Sequence, residues 1–260
     1  MGFAPRALQK NIHCLALHPE DSLAEYLRIY FRIPRIARVT PLARVMDFVA
    51  TGVPGAKDML VVGKIAYEER RREGDRPVWD LIIVDTEATG HVLPQLAAAR
   101  AMLGLMRGGI ILNQVRWIDQ ILADPERTLL VVCALPEEMP VTEALELHDR
   151  ARSETPVTIG ACLLNRTFPV APSARQVAAL EAVAAADDQA AVTAALGGAD
   201  IAPLLTGARL AARLGEATQR HARRLRAGMS CPVLEVPIQA GAREGLATTR
   251  LVAAALEAAR

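Results

Sequence analysis

Two observations on the sequence predict an α/β fold. We expect a doubly wound and mostly parallel sheet beside a helical subdomain. Apolar runs at 80–86, 128–135 and 157–165 are continuous rather than alternating, as in parallel strands buried on both faces. Helical patterns separate these runs, and alternating strands and helices are typical of doubly wound sheets. The 260 residues can bury a sizeable core. We therefore predict one α/β domain over 1–260.

The elements follow in order along the chain. We predict strands at 11–17, 80–86, 128–135, 157–165 and 232–238. We predict helices at 20–31, 40–53, 54–73 and 140–154, the last with Pro140 in its first turn, where proline is tolerated. Two regions, about 20–75 and 172–227, are too helical for simple crossovers, so we interpret them as helical insertions. Glycines within 197–200 predict a helix–helix turn in the second insertion.

Composition and charge narrow the class of protein. The formal net charge of +1 gives no electrostatic reason to expect a nucleic-acid or membrane-surface partner. The first ten residues lack the apolar segment of a signal peptide. The longest apolar stretch, 97–112, is interrupted by Arg100 and Arg107, which argues against a membrane span. We expect a cytoplasmic protein that is not itself transmembrane.

The four cysteines indicate a reducing compartment. Cys14, Cys133 and Cys162 lie inside apolar runs that resemble strands, and Cys231 precedes another. No pair has CxxC spacing. We expect the first three to be buried, reduced and unpaired, and a metal or arsenic site is the minor alternative.

The stretch from Asp80 to Leu96 carries the clearest chemical signal. Asp85 ends an apolar run, and ligands of open α/β sheets bind beyond the carboxyl ends of strands. A carboxylate there can hold Mg²⁺ through water, and Thr89 with Gly90 would let the backbone approach a phosphate closely. Asp85 could equally cap the following helix, and the spacing leaves both interpretations open.

Several motifs together resemble the arsenical-pump and tail-anchored-protein-targeting ATPases, which are deviant-Walker P-loop NTPases. The sequence Asp-Thr-Glu-Ala-Thr-Gly-His, from Asp85 to His91, is similar to their second nucleotide switch. Four further stretches resemble family segments in the family's order, from about His13 to the C-terminus: VPGAKDMLVVGK, CALPEEMPVTEALEL, ACLLNR and LEVPIQAGAREGL. The likeness is greatest to the actinobacterial anion-transporting-ATPase-like branch.

The resemblance implies ATP and Mg²⁺ as cofactors and assigns roles to individual residues. Asp85 would contact the water shell of Mg²⁺, Gly90 would offer its amide to the γ-phosphate, and His91 would lie in the moving switch. Asn165 would bind adenine and Pro237 would pack near the base. Without the resemblance, Asn165 is equally explained as a strand-end turn former and His91 as a first-turn helix residue.

The chain departs from the family in its phosphate-binding loop. The Gly63-Lys64 pair precedes Ile65 rather than Ser or Thr, and Asp58 stands where the motif needs glycine, so we predict an amphipathic helix there. By resemblance, the P-loop would precede Met1. Glu87 replaces a small residue of the family and would repel a nearby phosphate. We expect ATP hydrolysis only if an upstream P-loop is supplied.

The resemblance also implies partners. We expect a homodimer, or a heterodimer with a paralogue, and a hydrophobic helix or membrane protein as a possible client. The Met-rich stretch 96–112 would suit an adaptable groove, although such stripes more often form core. The alternative function is a non-catalytic partner subunit or client-binding scaffold that retains the ATPase fold. A Rossmann-type enzyme is disfavoured, because no GxGxxG follows a strand.

Overall fold

The structure is a computed structural model, and it divides the chain into two compact units. It describes residues 5–18, 21–22, 25, 55–86, 89–105, 110–168, 171–187, 189–239 and 245–259. Unit 1 comprises Met1–Leu129 with Arg150–Thr158, and unit 2 comprises Leu130–Asp149 with Ile159–Arg260. The predicted helices at 20–31 and 40–53 lie largely or wholly outside the described residues, as does Glu87. The single-domain assignment stays a prediction.

Three helices that pack against one another form the body of unit 1. They are α1 (Ala56–Arg70), α2 (Thr89–Leu105) and α3 (Ile110–Ala123). Their apolar side chains are removed from water, including Val62, Leu93, Val115 and Ile118. The Gly63-Lys64 pair lies within α1, so the predicted helix is confirmed. A Cβ at Gly63 would contact Ile118 Cδ1 at 3.7 Å, which is ordinary van der Waals packing.

Two short antiparallel hairpins complete the described part of unit 1. The strands β1 (Arg6–Gln9) and β2 (Ile12–Cys14) form one hairpin, with Asn11 at φ 64° in the turn. The strands β3 (Arg72–Glu73) and β4 (Arg76–Pro77) form the other. A positive φ is tolerated by asparagine because its side chain can bond locally.

A buried ionic cluster in unit 1 surrounds Glu68 of α1. Lys64 Nζ lies 2.7 Å from a carboxylate oxygen of Glu68 and 2.7 Å from one of Glu25. The second oxygen of Glu68 accepts hydrogen bonds from Arg71 Nη1 and Trp79 Nε1, both at 2.9 Å. Burial alone would raise the pKa of Glu68, but the hydrogen bonds from Lys64, Arg71 and Trp79 outweigh it and hold the pKa below its usual range.

Unit 2 is built on a parallel sheet of three strands with helices beside it. The strands are β5 (Leu129–Ala134), β6 (Thr158–Thr167) and β7 (Val233–Pro237), in the order β5-β6-β7. Helix α4 (Glu138–Glu154) connects β5 to β6 and confirms the helix predicted at 140–154. The α/β class is therefore confirmed, together with the strands predicted at 128–135, 157–165 and 232–238.

The second crossover, from β6 to β7, is a run of helices. It contains α5 (Ala174–Ala184), α6 (Gln189–Ala195) and the long α7 (Ile201–Gly228). The predicted turn at 197–200 is confirmed: Gly197 and Gly198 have φ of 66° and 91°, and Asp200 caps α7 by accepting from Ala202 N at 3.0 Å. Helix α8 (Leu246–Ala258) follows β7 and packs against it.

Two predicted strands differ in the structure. Residues 81–86 form no strand, and the side chains of Leu81 and Ile83 are 77% and 84% exposed. Of the segment 11–17, only Ile12–Cys14 is a strand, and it pairs antiparallel within a hairpin. An apolar run becomes a strand only where a neighbouring strand accepts its backbone hydrogen bonds. The strand predicted at 80–86 was therefore wrong, and the strand predicted at 11–17 is confirmed only over Ile12–Cys14.

The thiols follow the prediction in part. All four cysteines are reduced. Cys162 is completely buried, as predicted, whereas Cys14 is only half-buried and Cys133 is exposed, so burial was wrong for those two. Burial, together with nearby Cys231 and Cys133, raises the pKa of the Cys162 thiol to about 12.

A separate finding concerns membranes. Within the part of the chain that the structure describes, no helix combines the length and the apolar character needed to cross a bilayer.

Candidate functional site

The carboxyl end of the sheet in unit 2 brings together two predicted binding residues. Strands β6 and β7 run parallel, with Asn165 opposite Val236 and Thr167 opposite Pro237. Asn165 and Pro237 therefore lie on adjacent strands, at the sheet edge where ligands of open α/β folds bind. The Asn165 side chain is exposed and Pro237 is half-buried, so both can be reached from solvent.

A β-bulge fixes the local direction of Asn165. The register shifts between Asn165 and Thr167, and Arg166 between them has φ 59°, a conformation that non-glycine residues rarely adopt. Asn165 Oδ1 accepts a hydrogen bond from Arg166 N at 2.9 Å. Because the backbone nitrogen must be the donor, the amide NH₂ of Asn165 lies on the opposite branch of the side chain.

The same edge contains a polar residue that the sequence did not single out. Thr167 is 1% exposed, and its Oγ1 has no hydrogen-bond partner among the described residues. Its carbonyl accepts from Ile238 N at 2.9 Å, which ties the end of β6 to the residue after β7. Buried hydroxyls without protein partners commonly bind water. Only the observation that β6 continues past Asn165 could have indicated this residue.

The other predicted site residues belong to unit 1. Asp85 is exposed and lies in the extended stretch 81–86, so it does not follow a strand as expected. Gly90 and His91 lie in the first turn of α2, and both are exposed. A Cβ at Gly90 would meet no described atom within 4 Å.

The first turn of α2 is loosely bonded for a chemical reason. Pro94 lies inside the helix and has no backbone N–H, so it cannot donate to the carbonyl of Gly90 four residues earlier. The segment with Gly90 and His91 is therefore held by one hydrogen bond fewer than a regular turn.

The described residues test the fit to a metal and to a phosphate. Among them, no group of three or more His, Cys, Asp or Glu side chains could hold a metal ion. Mg²⁺ is commonly held by one or two carboxylates, water and phosphate oxygens, so an exposed Asp85 fits that chemistry. Lys64 does not fit a phosphate grip, because it is 7% exposed and paired with Glu25 and Glu68.

The described residues form an α/β protein with polar side chains at the carboxyl end of its sheet. Comparison with known proteins finds relatives that are named as ATPases. The chain is 31% identical over 161 residues to ATPase BagA of Mycobacterium tuberculosis (strain ATCC 25618 / H37Rv), which covers 61% of this chain and 46% of that protein. It has the same identity and coverage with Mb3704 of Mycobacterium bovis (strain ATCC BAA-935 / AF2122/97), whose name gives the ATPase assignment as provisional. The chain spans about half the length of these curated relatives. No family model matches it.

Proposed function

We propose that this chain is the nucleotide-responsive part of an ATPase of the arsenical-pump type. The observation that carries the proposal is the placement of Asn165 and Pro237 at the carboxyl ends of adjacent parallel strands, in a chain similar to proteins named ATPases. An exposed amide on one strand and a half-buried proline on the next offer one polar and one apolar group at the same sheet end, which suits a purine base. ATP with Mg²⁺ would supply the phosphoryl group and screen its charge.

Each candidate residue would contact a different part of the bound Mg²⁺–ATP. The amide NH₂ of Asn165 would donate to a ring nitrogen of adenine, while Pro237 would contact the face of the base. The backbone amides of the first turn of α2 would donate to phosphate oxygens, since helix N-termini favour anions. Asp85 would hold the water shell of Mg²⁺. Nucleotide state would then be transmitted through the loosely bonded turn that contains Gly90 and His91.

Hydrolysis by the chain as given should be very slow. The Lys64 ammonium, from the sole Gly-Lys pair of the sequence, is paired with the carboxylates of Glu25 and Glu68. Hydrogen bonds to charged groups contribute about 1.5–3 kcal/mol each, so lacking two of them weakens binding by roughly two to four decades. Steady ATP turnover by the purified chain would contradict this part of the proposal.

Binding at the sheet edge is tested by hydrogen–deuterium exchange with millimolar Mg²⁺–ATP. We expect slower exchange in peptides covering 163–168 and 236–239. A neutral hydrogen bond contributes about 0.5–1.5 kcal/mol, so Asn165→Ala should raise the Kd roughly two- to twelvefold. Asn113→Ala is the matched control, because Asn113 is an exposed asparagine on α3 whose Oδ1 also accepts a local bond, from Arg116. Protection confined to other regions would refute the site.

One observation favours a second candidate function, a non-catalytic partner subunit or client-binding scaffold. Asp85 lies in a stretch that no strand pairing holds, whereas catalysis requires a carboxylate in a fixed position. A scaffold would bind adenine nucleotides, or none, without hydrolysing them. ATP turnover by a longer form that carries an upstream P-loop separates the two: an ATPase hydrolyses ATP and loses that turnover on Asp85→Asn, whereas a scaffold shows no turnover in either form.

A further inference from the structure

A buried histidine in unit 2 links an exposed carboxylate to an exposed serine. His148 of α4 is 1% exposed. Its Nδ1 lies 3.0 Å from Asp149 Oδ1, and its Nε2 lies 2.9 Å from Ser230 Oγ. Asp149 has a side chain that is 79% exposed, and Ser230 is exposed in the turn between α7 and β7. The three groups form a continuous chain of hydrogen bonds.

The backbone fixes the tautomer of His148. Ser230 N donates a hydrogen bond to His148 Nε2 at 3.1 Å. A backbone N–H can only donate, so Nε2 must carry the lone pair, and in the neutral ring the proton is on Nδ1. Nδ1–H then donates to Asp149. This is the orientation in which an imidazole accepts the proton of a neighbouring hydroxyl.

A purely structural role, in which His148 holds the turn at Ser230 against α4, is the simpler explanation of these contacts. It would need only the bond from Ser230 N to His148, which holds the turn against α4. The hydroxyl at 2.9 Å and the carboxylate at 3.0 Å go further, because they complete a nucleophile, a base and an orienting group. The nucleophile is exposed while the base is buried, so an electrophile can reach Ser230 without unfolding the site.

We propose that Ser230 is an activated serine and a site of covalent acylation, with His148 as its base and Asp149 as a positioning residue. The substrate class is an activated ester. Ser230 Oγ forms a bond to the carbonyl carbon, the bond from that carbon to the leaving oxygen breaks, and the Oγ proton passes to His148 Nε2 and then to water. The leaving group departs as its anion. These residues are distinct from those of the proposed nucleotide site.

The same geometry sets the extent of the reaction. The N–H of Ser230 occupies part of the lone pair on Nε2 that the hydroxyl proton would use. We therefore expect one acyl group to be transferred to Ser230 and retained, rather than rapid turnover. Donors with a stable leaving anion are favoured, because they need no proton from the enzyme to depart.

The test is acetylation by p-nitrophenyl acetate, followed by peptide mapping with mass spectrometry. Cys231→Ala is used as the background, since the neighbouring thiol also reacts with this ester. We expect Ser230 to be acetylated faster than Ser153, an exposed serine near the end of α4. General bases typically contribute 10²–10⁴-fold, so His148→Gln should slow the reaction at Ser230 by at least about 10²-fold.

A second pair of variants keeps the test decisive if His148→Gln fails to fold. Asp149 is exposed, so Asp149→Asn should leave the unfolding temperature unchanged yet slow acetylation roughly two- to fivefold, the range of an exposed charge interaction. Asp149→Glu, which keeps the carboxylate, should restore most of the rate. Equal acetylation of Ser230 and Ser153, or no difference between Asp149→Asn and Asp149→Glu, would overturn the proposal.

Discussion

Two glycines of the same helix should respond in opposite directions to the same substitution. Gly207 and Gly215 both lie in α7, eight residues apart. A Cβ at Gly207 would meet no described atom within 4 Å, whereas one at Gly215 would overlap the Cβ of Ala171. Alanine is favoured over glycine in a helix interior by about 1 kcal/mol. Gly207→Ala should therefore stabilise unit 2 by about 0.5–1 kcal/mol.

The overlap at Gly215 opposes that gain. Inserting a methyl group into a packed contact typically costs about 1–3 kcal/mol. Ala171 Cα and the carbonyl oxygen of Phe168 also lie near, at 3.8 and 4.0 Å, so backbone rather than a flexible side chain must move. Subtracting the helix gain leaves Gly215→Ala destabilising by roughly 0–2 kcal/mol. The difference between the two variants, about 1–3 kcal/mol, isolates the overlap.

Urea unfolding followed by far-ultraviolet circular dichroism measures both variants. Tryptophan fluorescence would not serve, because Trp79 and Trp117 both belong to unit 1. The reasoning requires the midpoint to rise for Gly207→Ala and to lie clearly lower for Gly215→Ala, with equal slopes. If both variants shift the midpoint upward by the same amount, then α7 does not approach Ala171 closely and the packing described for unit 2 is wrong.

Three further predictions concern ionisable groups. The pKa of Glu68 is lowered in the folded state, so its contribution to stability is present above the unfolded pKa and is lost as the pH falls through the folded pKa. Glu68→Gln should lower the free energy of unfolding at neutral pH by about 3 kcal/mol. The same variant should flatten the acid dependence of unfolding followed by Trp79 fluorescence. Iodoacetamide should label exposed Cys133 quickly and Cys162 very slowly, because the pKa of the latter is about 12; peptide mapping showing equal rates would contradict this. Burial, together with the nearby positive charge of Arg220, lowers the pKa of His221. Unit 2 should therefore lose stability as the pH falls below 6.5, which unfolding followed by circular dichroism would show. His221→Phe should reduce that loss of stability.

Local chemistry made some elements predictable from sequence. The turn at 197–200 needed two residues at positive φ, and glycine supplies them at no steric cost. The helix around Pro140 began where proline is tolerated, and the Gly63-Lys64 segment had helical periodicity without the glycines of a P-loop. Each of these features depends on neighbours within a few residues, so the chain itself contains the necessary information.

Other properties depended on partners that are distant in sequence. The run at 80–86 contains four consecutive apolar residues, yet it forms no strand, because strand formation depends on backbone groups that another segment must present. Cys133 and Cys162 both lie in apolar strands, but only Cys162 is buried, because side chains alternate along β5 and Cys133 lies on the face opposite to that of buried Val132 and Ala134. Residue type could not distinguish these two positions.

Sequence patterns alone were sufficient to predict the α/β class and the three strands of the unit 2 sheet. These follow from periodicity, turn chemistry and motif order, which are local properties. Tertiary packing alone places Asn165 and Pro237 at the ends of adjacent strands, β6 and β7, and places His148 between Asp149 and Ser230. The last contact joins residues 82 positions apart, and such contacts are set by how helices and strands pack.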